Sequence, residues 1–352
     1  MRDLSKSLAV LMLVGSYMWP LDEVVAQILP VKLGTSSNCS SSYGTAINST
    51  ASPLQVAAQG SGCTGGHPRA LLWTASTGMI DLGTIEGALG ASTEDVSNDG
   101  TAVGWLGGGV GLAFVRPLGG PMESLPMLDG MIYAQATAIS PNGQYIVGLN
   151  STDSVWQAVR WDRLSGSWAP RALYAGGAMA VSNNGAVVGS MDSRARIWTE
   201  NGMVTLPGTD TRALDINASG TVVVGFRWQP CPAPCGEYEV PMVWMLKNGV
   251  WNARDLQALD GVDSEARGVE LVNGKAVIVG YGYTKKDAIM RAVAWIPDSA
   301  GNYGAPIRLA AIGGRNSRWA RAEDVNASGK VVGTSAYTGL KVMAVRWTLT
   351  VP

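Results

Sequence analysis

A block of small, apolar and turn-forming residues recurs along the whole chain. Most copies have a small or acidic residue, Ile or Val, Asn or Ser, a turn with Gly, and a β-branched run ending in Gly, and the first copy, at Ala46-Ile47-Asn48, is a worn one. Seven copies start near residues 46, 95, 138, 180, 215, 268 and 324. Dipeptides such as Asn142-Gly143 accept the positive φ of tight hairpin turns. Each block therefore predicts two antiparallel strands joined by a tight turn.

Two further signatures follow most of the blocks. One is X-Ala-apolar-X-Trp, as at Ala158 with Trp161, and the other is a short run ending in Leu, as at Asp81-Leu82. Each copy then reads as four short strands, which predicts an all-β chain folded as a β-propeller. We count seven blades, with six or eight as the alternatives. We interpret the recurring Trp as packing between adjacent blades.

The last copy lacks its Leu-ending strand, because the chain stops at Pro352 soon after Trp347. The segment 29–34 is a candidate for this missing strand. Pairing it into the last blade would close the ring and remove the exposed edges of an open array.

The combined pattern resembles the bacterial extracellular repeats named after the tripeptide His-Ala-Phe (HAF repeats). Segments 79–84, with the sequence MIDLGT, and 326–333, with the sequence NASGKVVG, carry the resemblance best. It extends over nearly the whole chain after the N-terminal segment. The resemblance implies export and a propeller-like repeat fold, in a family mostly without an assigned activity.

The N-terminal segment has the pattern of a secretory signal peptide. Arg2 and Lys6 precede an apolar run from Leu8 to Trp19, and a small residue, Ala26, ends the segment. The alternative is a membrane anchor, but the run is shorter than the ~20 residues that a membrane span needs. We therefore predict a signal peptide at 1–26 and a single propeller domain at 27–352, in the periplasm or outside the cell. We expect the mature chain to be a monomer that does not span the membrane.

Composition and charge exclude several classes of protein. With 46 % hydrophobic residues and a net charge of −1, disorder is disfavoured, and no basic excess is available for binding nucleic acid. The single His, His67, excludes a His-rich zinc site and leaves at most one His-dependent catalytic centre. Because His67 precedes Pro68 in an expected loop, we interpret it as a solvated loop residue.

The four cysteines are an even number, as expected for two disulfides in an oxidising compartment. We name the four strands of each blade a to d, outward from the axis, so the d–a and b–c connections lie on one face of the propeller. Cys39 falls in the first d–a connection and Cys63 in the first b–c loop, so both lie on that face. We predict that these two pair and bridge the closing strand to blade 1. Cys231 and Cys235 would then staple their own loop, whereas a bond from Cys39 to either of them would contradict this placement.

The longest connections all fall on one face of the predicted propeller. They are the b–c loops 227–239 and 281–287 and the d–a loops 257–265 and 310–321. Binding residues concentrate on variable loops held by a rigid scaffold. The candidate ligand-binding residues on this face are aromatic side chains and one arginine, namely Tyr133, Trp228, Tyr281, Tyr283, Arg315 and Trp319. The alternative is that these side chains only pack locally.

Three acidic residues, Asp95, Asp215 and Asp324, occupy equivalent positions on the expected innermost strand. Carboxylates beside a wet channel suit Ca²⁺, which is the one cofactor we consider. The alternative is that each Asp hydrogen-bonds a neighbouring backbone N–H.

These observations favour a secreted binding or interaction module for a glycan or protein partner, without catalytic residues. The alternative is a carbohydrate-active hydrolase or lyase that uses carboxylates near the central channel, because a fold can bring such residues together from any distance in sequence.

Overall fold

The chain folds into seven four-stranded antiparallel sheets arranged as a ring, which confirms the prediction of a seven-bladed β-propeller. The computed structural model describes residues 28–50, 52–108, 111–231, 236–313, 319–336 and 341–352. The predicted signal peptide lies outside these ranges. Within each blade, strand a is innermost and strand d is at the rim.

The strands are numbered in chain order and assigned here to the blades from a to d. Blades 1 and 2 contain β2 (Cys39–Ile47), β3 (Gln55–Cys63), β4 (Arg69–Thr74), β5 (Gly78–Asp81), β6 (Gly90–Val96), β7 (Ala102–Gly107), β8 (Leu112–Arg116) and β9 (Glu123–Ser124). Blades 3 and 4 contain β10 (Tyr133–Ile139), β11 (Tyr145–Ser151), β12 (Trp156–Leu164), β13 (Ser167–Ala175), β14 (Gly177–Val181), β15 (Val187–Met191), β16 (Arg194–Thr199) and β17 (Gly202–Thr205). Blade 5 contains β18 (Thr211–Ile216), β19 (Val222–Cys231), β20 (Gly236–Lys247) and β21 (Val250–Asp255), and a 3₁₀ turn (Leu259–Gly261) leads to blade 6. Blades 6 and 7 contain β22 (Ser264–Val272), β23 (Lys275–Tyr283), β24 (Met290–Trp295), β25 (Ile307–Arg308), β26 (Trp319–Val325), β27 (Lys330–Ala336), β28 (Val342–Thr348) and β1 (Val31–Gly34).

The N-terminal strand closes the ring, as the sequence predicts. Strand β1 pairs antiparallel with β28, with Val31 opposite Arg346 and Lys32 opposite Val345. The hydroxyl of Ser42 in blade 1 joins both strands, since it donates to the Gly34 carbonyl at 2.6 Å and accepts from the Ala344 N–H at 3.0 Å. Blade 7 is therefore completed by the first strand of the chain.

The recurring tryptophans lie between blades. In blades 3, 5, 6 and 7 the Trp is fully buried, and its indole N–H donates to a backbone carbonyl just after the Leu that ends the preceding blade. These bonds run from Trp161 to Pro126, from Trp244 to Pro207, from Trp295 to Gln257 and from Trp347 to Ala310, at 2.6–2.9 Å. The repeated Trp and Leu signatures thus form one latch between successive blades, because a buried indole N–H needs a partner.

The Asn or Ser of each block stabilises the a–b turn. The carboxamide oxygen of Asn326, for example, accepts backbone N–H bonds from Ser328 and Lys330, and Asn326 is fully buried. The equivalent Asn217 accepts from Thr221 and Val222. These side chains satisfy turn donors that the sheet leaves unpaired.

Topology divides the connections between two faces. The a–b and c–d turns lie on what we call the turn face, and the b–c and d–a connections lie on what we call the loop face. The long connections predicted on the loop face are partly strand: β19 and β20 extend as a hairpin as far as Cys231 and Gly236, and β23 continues to Tyr283. The predicted loop boundaries at 227–239 and 281–287 are therefore wrong, because paired backbone continues beyond the core of the blade.

Cys39 and Cys63 form a disulfide, as predicted, at the loop-face end of blade 1. They are directly opposite each other on β2 and β3. The bond therefore staples two strands of one blade and does not bridge the closing strand to blade 1. Cys231 is also disulfide-bonded, and Cys235 lies outside the described residues.

Candidate functional site on the loop face and central channel

Every innermost strand carries a β-bulge, which exposes one residue to the central channel. In several blades the strand-b Gly opposite the bulge leaves no room for a side chain, because a Cβ on Gly104, Gly148, Gly225 or Gly280 would lie 1.9 Å from a strand-a carbonyl oxygen. A bulge next to such a close approach re-aims a side chain. The seven bulged residues all line the channel, a cavity of about 340 Å³, and are Thr45, Glu94, Thr137, Met179, Leu214, Arg267 and Glu323.

The residue after the bulge is the predicted aspartate in three blades, and its carboxylate bonds to the backbone. Asp95 accepts from its neighbour Val96 at 2.6 Å and from Ile139 of the next blade at 2.8 Å. Asp324 accepts in the same way from Val325 at 2.6 Å and from Ile47 at 2.9 Å. Each such carboxylate clips one blade to the next.

Asp215 makes the corresponding bond to Val269 at 2.8 Å. These bonds are the second of the two interpretations that the sequence allows. The described residues contain no group of three or more His, Cys, Asp or Glu side chains arranged to hold a metal ion. A calcium ion at Asp95, Asp215 and Asp324 stays a prediction.

The pKa values of the three aspartates in the channel wall are raised. Burial raises the pKa of Asp95 to about 8 and that of Asp324 to about 7, against the hydrogen bonds that lower them. Burial, with repulsion from Asp324, also raises the pKa of Asp215 well above its usual value. Burial therefore favours the protonated form of all three carboxyl groups.

An acidic cluster occupies the loop-face side of the channel at blades 5 to 7. Glu239 is hydrogen-bonded to Glu265, and burial together with the Glu265 charge raises the pKa of Glu239 to about 8. The Tyr281 hydroxyl donates to Glu265 at 2.5 Å, and Arg267 binds both Glu265 at 2.9 Å and Glu323 at 2.6 Å. Glu239 therefore lies beside a network in which Glu265 is already paired with Tyr281 and Arg267.

Exposed apolar side chains concentrate on the opposite half of the loop face. Trp156 is 61 % exposed and Tyr133 is 47 % exposed, and both line a cavity of about 300 Å³ between blades 2 and 3. Together with their exposed neighbours they form what we call the apolar arc, comprising Leu89, Ile132, Tyr133, Val155, Trp156 and Met179. Contiguous exposed apolar surface of this kind marks interaction sites in soluble domains.

A second cavity, of about 650 Å³, continues the apolar arc over blades 3 to 5. Trp156 borders both cavities, so they are adjacent, and we refer to the two together as the groove. Met179, Leu214 and Phe226 supply apolar surface to the second cavity, and Arg212 lines it as well. The Arg212 guanidinium lies 5.0 Å from the centre of the Trp228 ring, which itself meets Phe226 edge to face at 4.9 Å.

The structure separates the predicted ligand-binding residues into two zones. Tyr133 belongs to the apolar arc and Trp228 supports Arg212, whereas Tyr281 and Tyr283 lie on β23 near the acidic cluster. From the sequence, Trp319 is expected in the loop 310–321, but it is the first residue of β26. Arg315 lies outside the described residues.

Sequence reasoning missed several residues of the groove. Trp156, Met179 and Arg212 lie at strand ends or bulges next to short connections, so long loops in the sequence do not mark them. The bulge itself was the available signal, because it places the residue before each inner-strand Asp, Ala or Gly in the channel.

The described residues contain no helix that is long and apolar enough to cross a membrane.

Comparison with known proteins identifies the fold. No family model matches the chain, and no curated protein matches it. Among solved structures, it is similar to the β-propeller domain of the Trilobed protease from Pyrococcus furiosus, with a TM-score of 0.54 and 10 % identity over 88 % of this chain and 94 % of that one. That domain is described as having an open velcro topology, whereas the pairing of β1 with β28 closes the ring here.

Two further structures show the same likeness. The virginiamycin B lyase from Staphylococcus aureus gives a TM-score of 0.51 at 10 % identity, covering 91 % of this chain and 98 % of that one. The acylaminoacyl peptidase from Pyrococcus horikoshii gives 0.54 at 10 % identity, covering 88 % of this chain and 52 % of that one. At such identities the likeness concerns the fold, and this chain is a seven-bladed β-propeller closed by its N-terminal strand.

Proposed function

We propose that this protein is a secreted or periplasmic binding module that docks a polypeptide segment across the apolar arc and the cavity beside Arg212. The observation that carries the proposal is the continuity of exposed apolar side chains around two connected cavities on one face. A rigid propeller that presents such a groove is suited to binding a partner without catalysing a reaction on it.

The groove lining favours a polypeptide over a glycan, the other partner class that we consider. Five large apolar side chains line the larger cavity, namely Trp156, Met179, Met191, Leu214 and Phe226, beside the polar Ser190, Asp192, Ser193 and Arg212. Met-rich surfaces adapt to varied apolar side chains, and Trp, Tyr and Arg dominate binding energies at protein interfaces. The two Met and the apolar side chains of the wall therefore favour a polypeptide, and the glycan array tests the other class.

The hydrolase or lyase alternative has less support from the acidic cluster. Glycoside hydrolysis uses two carboxyl groups about 5 to 9.5 Å apart, so that a sugar or a water fits between them. Glu239 and Glu265 are hydrogen-bonded to each other instead. That contact leaves no room for substrate between them.

An exported location is part of the proposal. The signal-like segment 1–26 and the Cys39–Cys63 disulfide support it, because disulfides persist in oxidising compartments. The His-Ala-Phe resemblance points the same way.

Selection from a random peptide display library, run beside a glycan array, tests the proposed function. We expect peptides with spaced apolar residues that bind the native chain and lose binding to Trp156→Ser. Leu164→Ser is the matched control, because Leu164 is 60 % exposed but lies on the turn face. Glycan binding without peptide binding would overturn the proposal, and so would peptides that bind the Trp156→Ser variant equally well. Release of product from a glycan hit, lost on Asp215→Asn, would favour the hydrolase or lyase alternative.

A further inference from the structure

Arg212 has an unusual environment among the arginines of blade 5. Its guanidinium makes no hydrogen bond or ion pair with any described residue and is held only against the Trp228 ring. By contrast, Arg227 of the next strand binds Asp255 through two hydrogen bonds, at 3.0 and 2.8 Å. Arg212 therefore brings to the wall of the 650 Å³ cavity a positive charge that forms no ion pair with a described residue, although Asp192 also lines this cavity.

The cavity pairs this charge with apolar surface. Phe226 and Leu214 contribute apolar groups on the blade-5 side, and Met179 and Trp156 contribute them from blades 4 and 3. An arginine fork held by a ring matches a carboxylate with two parallel hydrogen bonds. The occupant that fits has a large apolar group and a carboxylate close together.

In a polypeptide, this combination is characteristic of the C-terminal residue. Its carboxylate and its side chain leave the same Cα, so both reach one cavity. Within an extended segment, adjacent side chains point to opposite faces, and side chains on the same face leave Cα atoms about 7 Å apart, so an internal acidic and apolar pair is less close than the two groups of a C-terminal residue. Asp192, an exposed residue that also lines the cavity, acts against any carboxylate there, so only one that bonds directly to Arg212 is favoured.

We propose that the Arg212 cavity binds the free C-terminus of a partner polypeptide ending in a large apolar residue. This inference rests on the proposed function, since the preceding residues of the segment would continue past Trp156 along the apolar arc. It adds a specific end and direction to that segment, with the terminal carboxylate at Arg212.

The test uses two arrays of seven-residue peptides with alternating Val and Ser upstream and each of the twenty residues at the end. One array has free C-terminal carboxylates and the other has carboxamides. The best free-acid peptide is then titrated by fluorescence anisotropy against the full chain. We expect the acid to bind about 10- to 100-fold more tightly than its amide, the worth of hydrogen bonds to a charged group.

Substitutions separate the charge from the groove. Arg212→Met should reduce affinity for the acid to that for the amide and leave the amide unchanged, while Arg212→Lys keeps part of the preference. Arg194→Met is the matched control, because Arg194 is an exposed arginine of blade 4 outside the cavity lining. Each variant is checked for an unchanged thermal midpoint.

The outcomes distinguish the two proposals. Equal affinity for acid and amide, with both lost in Trp156→Ser, would overturn the C-terminal inference and leave the binding module intact. A free-acid preference that survives Arg212→Met would also overturn it. No binding by any free-acid peptide would overturn the inference, and the display experiment decides separately whether the proposed function also fails.

Discussion

Replacing Asp324 by Asn should change how stability depends on pH, because this carboxylate clips blade 7 to blade 1. Its oxygens accept the backbone N–H groups of Val325 and Ile47. A carboxamide has nearly the shape of the carboxyl group and does not ionise, but its NH₂ cannot accept, so one of the two backbone N–H bonds is lost at every pH. That loss shifts the free energy of unfolding by an amount that does not depend on pH. The substitution therefore removes the cost of charging this site and keeps its volume.

The magnitude follows from the two pKa values of Asp324. Burial raises its pKa to about 7 in the folded chain, whereas an unfolded Asp has a pKa of about 3.9. Because the folded value is higher, the protonated form is favoured on folding, and this stabilisation is lost as the pH rises from about 4 to 7. Between pH 5 and pH 8 the native chain should lose about 2.5 kcal/mol at this site.

Urea unfolding at pH 5, 6, 7 and 8, followed by tryptophan fluorescence, measures the effect. The free energy of unfolding of Asp324→Asn minus that of the native chain should rise by about 2.5 kcal/mol over this range. Asp153→Asn, at an exposed residue of a b–c connection, is the matched control and should give a flat difference. A flat difference for Asp324→Asn would refute the assignment of an ionisation cost to the clip.

Three further predictions concern the scaffold. Trp244→Phe removes the indole donor to the Pro207 carbonyl and should lower the free energy of unfolding by about 1 kcal/mol in urea titrations. Replacing Cys39 and Cys63 together by Ser should lower the free energy of unfolding by about 3 kcal/mol, because the bond closes a loop with a sequence separation of 24. Urea titrations without reducing agent measure this loss. Gly225→Ala places a Cβ 1.9 Å from a carbonyl oxygen of β18, so calorimetry should show a midpoint several degrees lower; an unchanged midpoint would mean that the bulge is dispensable.

The fold was largely predictable from the sequence because its signals repeat. Each copy states the same turn, the same close-approach glycine and the same Trp, and Trp161 and Trp347 occupy equivalent sites three strands into their blades. Even the closing strand followed, since a missing fourth strand at one end matched a spare strand at the other.

The candidate site was much less predictable because it is made between copies. Trp156 of blade 3, Met179 of blade 4 and Arg212 of blade 5 meet at one cavity although no motif joins them. Tyr281 is aromatic, as many ligand-binding residues are, yet its hydroxyl donates a hydrogen bond to the buried Glu265. Side-chain type alone does not reveal which neighbour a propeller will supply.

The closing strand β1 can pair only after the last blade has formed. Val31 pairs with Arg346, so the first strand stays without its partner until almost the entire chain is available. Until then, β1 and the open side of β28 are sheet edges, which are the surfaces most prone to wrong pairing. A chain truncated before β28 therefore keeps β1 as an exposed edge, and the pairing of β1 with β28 removes that edge.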